Sequence, residues 1–407
     1  MRRPKLVLLS LALAGAIATG ATAATSADPG ITAKTILLGG TSPLSGPASA
    51  YSSVARGADA YFKFVNARGG VNGRTITYKY LDDAYNPTQT VQATTQLVEQ
   101  DRVFAIFNSL GTAHNEAIRP YLNENKVPQL FVASGATTFG RDYRQYPWTI
   151  GFQPSYQAEG WIYGKYLART KPGATIAVLF QNDNYGKDLL AGLKQGIARS
   201  KVKVVAAQPY EVTATDVQSQ MAKLKASGAN VLALFATPKF ATQSYFFADR
   251  LRWRPLIINN AVSNASNIMT LAAEGGSNKA IENSISIAYL KDPTSASWRN
   301  DAAIKLYRSI MARYAKGANV KDVFHVYGMA VAYETVRVLK AAGKNPTRAA
   351  VLAQMRKLND PANPFLLPGI VVKTSATERF PVEQVLLQRW SKGTWKSFGG
   401  LWGFRAG

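Results

Sequence analysis

Residues 231–258, VLALFATPKFATQSYFFADRLRWRPLII, hold the pattern that decides the fold. Val231–Phe235 is a short apolar run, Pro238–Leu251 has a helical pattern, and Leu256–Ile258 is a second apolar run. Two strands on either side of a helix of this length are typical of a βαβ unit, whose strands lie parallel in one sheet. Because the strands are almost continuously apolar, we expect the sheet to be covered on both faces.

The same alternation extends from Thr35 to about Asn260 and predicts an α/β fold with doubly wound parallel sheets. Further strand candidates are Thr35–Leu38, Thr75–Tyr80, Val103–Phe107, Gln129–Ala133, Thr175–Phe180 and Val202–Ala206. Helices are predicted between these strands. In the first, one apolar face is shared by Val54, Ala58, Tyr61, Phe62 and Val65, and two later helices are predicted over Lys187–Ser200 and Asp216–Ser227.

The number of strands is high for one sheet, and the pattern pauses at residues 146–151, YPWTIG. We therefore expect two lobes, with a first crossing between them at this pause. The later chain is more helical and ends in a predicted hairpin; its elements are Trp298–Tyr314, Val323–Ala342, Thr347–Leu358 and the hairpin strands around Val385–Trp390 and Gly393–Trp395.

The first 23 residues have the features of a cleaved signal peptide. Arg2, Arg3 and Lys5 form a basic start, Leu6–Ala18 is apolar, and residues 21–23, Ala-Thr-Ala, offer a cleavage site. The apolar run is shorter than the roughly 20 residues that span a bilayer, which disfavours a retained anchor. The chain has no cysteine, so it has no site for a lipid anchor. We therefore expect a protein that is free in the periplasm.

The net charge of +24, from 48 basic and 24 acidic residues, does not identify a function. The basic residues are scattered, with no run of five or six and no basic stretch interleaved with aromatic residues. We interpret the charge as a solvated basic surface and expect no nucleic-acid partner.

The sequence offers little equipment for catalysis. It has two histidines, His114 and His325, and no nucleophile elbow, phosphate-binding loop or zinc-binding His pair. The pair Asp82-Asp83 follows a strand and is interpreted as turn or cap chemistry, because no second partner for acid–base work is identifiable. We predict a protein that is not an enzyme and has neither a metal nor a cofactor.

Small hydroxyl and glycine residues after the strands predict a binding site. They are Ser45, after the first strand, then Ser109, Gly111 and Thr112 after the third, and Ser134, Gly135 and Thr137 after the fourth. In open parallel sheets, ligands bind beyond the carboxyl ends of the strands, where free N–H groups at helix starts attract a carboxylate. Each loop alone is also consistent with ordinary caps and turns.

These loops belong to a wider resemblance to the leucine/isoleucine/valine-binding protein family, the amino-acid branch of the type I periplasmic binding proteins. The matching pieces are residues 43–47 (PLSGP), 69–73 (GGVNG), Asp82-Asp83 before Asn86-Pro87, Val127-Pro128 before 134–137 (SGAT), 184–186 (NYG), and Tyr327 with Ala332. The resemblance implies two α/β lobes joined by a three-crossing hinge, with the ligand closed between them. It assigns residues 31–150 plus 291–379 to the N-terminal lobe and 153–287 plus 381–407 to the C-terminal lobe.

The resemblance also implies a site. Tyr51 corresponds to the aromatic residue at the cleft edge, and Tyr185 to the tyrosine that covers the ligand. Thr237 stands where the family often has a tyrosine, and Phe324 lies near the apolar wall. Asn260, near Ser263, replaces the acid that pairs with an amino-acid ligand's ammonium group. Either another acid, Asp322 or Asp183, has moved in, or the ligand has no α-ammonium.

The resulting expectation is an extracytoplasmic solute-binding protein, a monomer, that delivers a small carboxylate to an ABC permease in the cytoplasmic membrane. The late segment 363–370 (NPFLLPGI) resembles a branch of the family with often non-amino-acid ligands, which favours a small organic or aromatic carboxylate. The alternative within the family is a branched-chain or other hydrophobic amino acid. Alternatives of other classes are a soluble ligand sensor and an exported hydrolase.

Overall fold

The computed structural model describes residues 28–404, apart from the side chains of residues 276–278. The predicted signal peptide, residues 1–23, lies outside the described residues. Within the described range, no helix combines the length and the hydrophobicity needed to cross a membrane.

The first sheet has five parallel strands in the order β2-β1-β3-β4-β5. They are β1 Thr35–Ser42, β2 Thr75–Asp82, β3 Ala105–Phe107, β4 Gln129–Val132 and β5 Thr149–Gly151. The helices of this lobe are α1 Ser52–Asn66, α2 Pro87–Thr95, α3 Thr112–Glu124, α4 Thr138–Arg141, α11 Ala302–Tyr314, α12 Val323–Ala341 and α13 Arg348–Met355.

The second sheet has seven strands in the order β14-β13-β10-β9-β8-β6-β7. Strands β6 to β10 pair in parallel, whereas the β10–β13 and β13–β14 pairs are antiparallel. The strands are β6 Thr175–Gln181, β7 Lys203–Tyr210, β8 Val231–Phe235, β9 Leu256–Asn259, β10 Ile285–Ala288, β13 Gln384–Ser391 and β14 Thr394–Gly403. The helices are α5 Tyr156–Thr170, α6 Asn184–Ile197, α7 Gln218–Ala226, α8 Pro238–Arg250, α9 Ser266–Ala272 and α10 Asn278–Ile281. A small separate ladder joins β11 Asn359–Asp360 to β12 Val372–Lys373.

The predicted α/β fold with two parallel-sheet lobes is confirmed. The chain passes between the sheets three times: after β5, after β10 and between β12 and β13. The segment 231–258 forms β8, α8 and β9 as predicted, with β8 and β9 paired in parallel. The predicted helix over Trp298–Tyr314 begins later, at Ala302, because Asp301 caps it by accepting from the N–H groups of Ala303 and Ile304. Strands β5 and β10 were not predicted; both lie at crossings.

Helices α1 and α12 of the first lobe touch backbone to backbone. A side chain at Gly57 would place its Cβ 2.3 Å from the carbonyl oxygen of His325, and one at Gly328 would lie 2.1 Å from that of Val54. Only glycine allows this approach. Tyr51 and Phe324, at the starts of these two helices, are thereby held in an edge-to-face ring pair with centroids 5.1 Å apart.

A buried pair of acids lies beside the middle of α12. Glu334 is 0% and Asp360 2% exposed. Asn363 Nδ2 donates to Glu334 Oε1 at 2.9 Å, and Arg337 Nε lies 3.3 Å from Asp360 Oδ2. Burial, reinforced by the hydrogen bond to Asp360, raises the pKa of Glu334 to about 8. Glu334 is therefore protonated at neutral pH, and its proton serves the neighbouring carboxylate.

This pair makes stability depend on pH. The folded pKa of Glu334 lies above the unfolded value of about 4.3, so its stabilisation is complete below pH 4 and is lost as the pH rises towards 8. We expect the wild type to lose up to about 1.4 kcal/mol of unfolding free energy per pH unit, relative to Glu334→Gln, in that interval. Denaturant unfolding between pH 5 and 9 measures it, with exposed Glu124→Gln as the control. Parallel pH profiles of wild type and Glu334→Gln would contradict this assignment.

Candidate ligand-binding site

A cavity of about 70 Å³ lies between the lobes. The first lobe contributes Tyr51, Val54, Tyr85, Leu110, Gly111, Thr112, Ala133, Val323, Phe324 and Tyr327. The second contributes Tyr185, Thr237, Ala261, Val262, Asn264, Ile287, Ala288, Gln388 and Trp395. The crossings contribute Gln153, Tyr156, Tyr289, Leu290 and Asp292.

The start of α3 faces this cavity without a cap. The strand β3 ends at Phe107, and the chain reaches the helix through Gly111, whose φ is 113°. Glycine has no side chain to accept from the first N–H groups of a helix, which also lack partners within the helix. Gly111 and Thr112 both line the cavity. The result is a set of free N–H donors and a positive dipole end that suit an anion.

The N-cap carboxylates of two other helices are already engaged. Asp183 accepts from the N–H groups of Tyr185 and Gly186 at the start of α6. Asp322 accepts from the N–H of Phe324 and, at 2.6 Å, from the hydroxyl of Ser53. Both carboxylates therefore act as helix caps, and neither lines the cavity.

Aromatic side chains form much of the cavity wall. Tyr156 and Tyr185 are an edge-to-face pair with centroids 4.9 Å apart. Burial raises the pKa of Tyr51, Tyr156 and Tyr185 well above the usual value for a tyrosine. These hydroxyl groups therefore stay neutral at physiological pH, and the wall combines ring surface with hydrogen-bonding tips.

Among the described residues that line the cavity, none is Lys, Arg or His, and Asp292 is the single charged side chain. Its carboxylate accepts from Ser266 Oγ at 2.5 Å and from Thr294 N and Oγ1, both at 2.7 Å. A carboxylate has about four acceptor positions, so Asp292 can accept one more donor.

Asn260 lies beneath Tyr185 and is fully buried. Its side chain is 2.8 Å from the Tyr185 hydroxyl. When the amide is oriented with Oδ1 accepting from Tyr185, Nδ2 faces the carbonyl oxygens of Leu234 and Ala236 at 3.1 and 3.2 Å. Two carbonyl acceptors require a donor at this place, which an ionised acid cannot supply. Asn260 thus positions Tyr185.

Six of the residues predicted from the sequence line the cavity: Tyr51, Gly111, Thr112, Tyr185, Thr237 and Phe324. Three more support its walls. Ser134 Oγ lies 2.7 Å from Thr112 Oγ1, Ser109 Oγ accepts from Thr41 N at 2.9 Å, and the Gly135 carbonyl accepts from Tyr156 N at 2.7 Å.

The other predicted residues lie outside the lining. Ser45 donates to Asp82 Oδ2 at 2.6 Å on the exposed side of its loop. Ser263 donates to the carbonyl of Ala236, and Asn260 and Asp322 are engaged as described. Thr137 N donates across the cleft to Asp188 Oδ2 at 2.7 Å, so it contacts the opposite lobe.

Two further hydrogen bonds join the lobes around the cavity. Tyr51 Oη donates to the carbonyl of Val262 at 2.9 Å, and Asn184 Nδ2 donates to Glu116 Oε1 at 2.8 Å. With the Thr137–Asp188 bond, they hold the lobes together over the cavity.

Sequence reasoning missed the tyrosines near the crossings, Tyr156 and Tyr289, and also Tyr85 and Asp292. A usable signal existed for the first two, since hinge segments must pass the cleft. Tyr156 begins α5 directly after the first crossing, and Tyr289 follows β10 in the second. Tyr85 follows β2, and no pattern in its neighbourhood indicates a binding role.

A family model described as a periplasmic binding protein matches residues 35–394. The chain belongs to the periplasmic binding protein family. The predicted resemblance to the leucine/isoleucine/valine-binding branch is confirmed by curated relatives. One is the leucine-, isoleucine-, valine-, threonine- and alanine-binding protein of Pseudomonas aeruginosa, 28% identical over 197 residues, which are 48% of this chain and 52% of that protein. The Leu/Ile/Val-binding protein homolog 2 of Brucella abortus is 30% identical over 200 residues, 48% of this chain and 53% of that protein. The matched part thus spans about half the length of these relatives.

Solved structures share the fold. A branched-chain amino acid ABC transporter protein from Thermus thermophilus with bound valine has a TM-score of 0.80 at 17% identity, covering 91% of this chain and 97% of that one. A solute-binding protein from R. palustris in complex with benzoate has a TM-score of 0.74 at 17% identity, covering 90% and 96%.

The loop that leads into α3 depends on the glycine at position 111. A Cβ there would lie 2.3 Å from His114 Nδ1, and the φ of 113° is strained for any other residue. We expect Gly111→Ala to lower the unfolding free energy by about 1–3 kcal/mol, as measured by denaturant titration. Gly69→Ala is the matched control, because its φ is 92° and no atom lies within 4 Å of the added Cβ. Equal losses in both variants would show that the contact with His114 is unimportant.

Proposed function

We propose that this protein is the extracytoplasmic solute-binding component of an ABC importer and captures a small carboxylate with an aromatic or other apolar body. The observation that carries the proposal is the uncapped start of α3 at Gly111 and Thr112, which opens into a cavity with an aromatic wall and no cationic side chain.

The carboxylate is expected to bind the N–H groups at the start of α3 and the hydroxyl of Thr112. Hydrogen bonds to a charged group contribute roughly 1.5–3 kcal/mol each, so three of them contribute about 5–9 kcal/mol, which offsets part of the cost of association; burial of the apolar body supplies the rest. The apolar body of the ligand then packs against rings such as Tyr156, Tyr185 and Phe324.

The surroundings of Asn260 favour a ligand without an α-ammonium group. The family's amino-acid binders place an acid there, whereas this chain has an amide that meets two carbonyl groups and holds Tyr185. An ammonium group buried without a partner would cost about 3–5 kcal/mol. The R. palustris protein, which has the same fold, was solved in complex with benzoate, and this supports an aromatic carboxylate as the ligand class.

A hydrophobic amino acid is the second candidate, and Asp292 is the observation that favours it. This carboxylate lines the cavity and can accept a donor from an ammonium group. The curated relatives from P. aeruginosa and B. abortus carry names of aliphatic amino acids, and the T. thermophilus protein holds valine.

Delivery follows from lobe closure. We propose lobes of residues 31–150 plus 291–379 and 153–287 plus 381–407, supported by the membership of the strands in the two sheets. Only the closed form contacts the ligand from both sides, so ligand binding shifts the hinge equilibrium towards it. A permease that recognises the closed monomer in the periplasm would receive only loaded protein.

Calorimetry with benzoate, leucine and valine tests the ligand class, with benzamide as the uncharged match for benzoate. We expect benzoate to bind and benzamide to bind at least tenfold more weakly. Thr112→Val removes one hydroxyl donor and should weaken benzoate about tenfold or more. Thr335→Val is the control, since the hydroxyl of this buried threonine donates to the Val331 carbonyl of its own helix and has no other hydrogen bond among residues 28–404. Equal affinities for benzoate and benzamide would exclude carboxylate recognition.

Asp292→Asn separates the two candidates. If the ligand is a simple carboxylate, removing the negative charge should leave its affinity unchanged or raise it, because two anions no longer share the cavity. If an ammonium group contacts Asp292, leucine affinity should fall by about tenfold to a hundredfold. Calorimetry on the same panel decides between them, and Asp216→Asn, an exposed acid of the second lobe, is the control.

A further inference from the structure

Glu159 is a buried acid that forms no ion pair in the described part of the chain. It lies in the first turn of α5, just after the first crossing, and is 2% exposed. Its Oε1 accepts from the backbone N–H of Ala261 and from the hydroxyl of Tyr163, both at 2.7 Å. The hydrogen bond from Ala261 joins α5 to the turn formed by residues 261–263.

This contact reaches the candidate ligand site. Ala261 and Val262 line the cavity, and the Val262 carbonyl accepts from Tyr51 of the opposite lobe. Tyr163, the other partner of Glu159, accepts from the N–H of Ile287, which also lines the cavity. Glu159 is thus one hydrogen bond from Ala261 and two hydrogen bonds, through Tyr163, from Ile287 of the second-lobe wall.

The opposite side of Glu159 faces the hinge. A smaller cavity of about 10 Å³ lies beside it, and its lining residues belong to, or directly precede, the three crossings. Pro154 and Ser155 belong to the first crossing, Ile287 leads into the second, and Phe380 and Val382 belong to the third. Glu159 therefore lies where the crossings converge, between the hinge and the ligand cavity.

We propose that Glu159 is a positioning residue that holds the 261–263 turn in its ligand-ready place from inside the hinge. The strength of this hold is expected to depend on pH. The link to ligand capture rests on the proposed function, whereas the link to the turn does not.

The charge balance around Glu159 gives the direction of this effect. Burial raises the pKa of Glu159 to about 7, although its hydrogen bonds with Tyr163 and Ala261 lower it. The titratable groups that face it are Tyr163 and Tyr156 of its own helix, Tyr289 of the second crossing, and Glu383 of the third. None is a cation. The ionised carboxylate is the stronger acceptor for the Ala261 N–H, but the cost of burying its charge is larger. A local opening that exposes Glu159 to water therefore becomes easier, and the turn loosens, as the pH rises through 7.

Amide hydrogen exchange of the ligand-free protein at pH 6 and 8 tests this, after correction for intrinsic exchange. We expect the protection of Ala261 in the wild type to fall several-fold at pH 8. Glu159→Gln keeps an acceptor without a charge and should show the same protection at both pH values. Glu159→Ala removes the acceptor, so the protection of the Ala261 amide should fall about tenfold at both pH 6 and pH 8. Glu274→Gln, an exposed acid of the same lobe, should behave as wild type.

Two results would overturn the proposal: unchanged protection of Ala261 in Glu159→Ala, or a wild-type pH dependence in Glu159→Gln. Should Glu159→Ala not fold, Glu159→Gln still decides. Because no ligand is present, a failure of benzoate or leucine to bind would count against the proposed function alone and would leave this readout intact.

Discussion

The free N–H groups at the start of α3 are the feature on which the site depends. They exist because Gly111 provides no side-chain cap, and they face the opposite lobe because β3 is the central strand of a parallel sheet. Every strand of that sheet sends its carboxyl end to the same edge. The neighbouring loop, with Ser134 against Thr112, belongs to the same edge and fixes the hydroxyl that lies beside those N–H groups.

The proposed capture of an anion by a cavity whose described lining residues include no cationic side chain would have a physical advantage in a site that must also open. A buried lysine or arginine would need a partner whenever the ligand is absent, since an unpaired buried charge is costly. Backbone dipoles carry no net charge, so they leave no unpaired ion in the cavity when the lobes open. The difference in energy between empty and loaded states then comes from the ligand itself.

Periodicity predicted the fold, and loop chemistry predicted that Gly111 and Thr112 lie at the candidate site, because both depend on local rules. The same loop reasoning also named Ser45 and Thr137, which lie outside the cavity lining. The pattern of residues 231–258 gave β8, α8 and β9, and the glycine and threonine after β3 indicated a helix start open to a ligand. The remaining wall depends on contacts between lobes. The role of Asn260 beneath Tyr185 depends on the carbonyl groups of Leu234 and Ala236, which no sequence pattern reveals. Asp292 enters the cavity only through the path of the chain around the hinge, and Tyr85 enters it from the loop after β2.

The contact between α1 and α12 also bears on how this protein can evolve. Gly57 and Gly328 bring the two backbones so close that neither helix can shift without a collision. The positions of Tyr51 and Phe324, at the starts of these helices, are therefore fixed relative to each other. A descendant that takes up a bulkier nutrient would have to exchange wall side chains for smaller ones, because it could not spread the scaffold apart. Changes in ligand size are thus expected to arise from a few substitutions in the cavity wall, while the packing of α1 against α12 is retained.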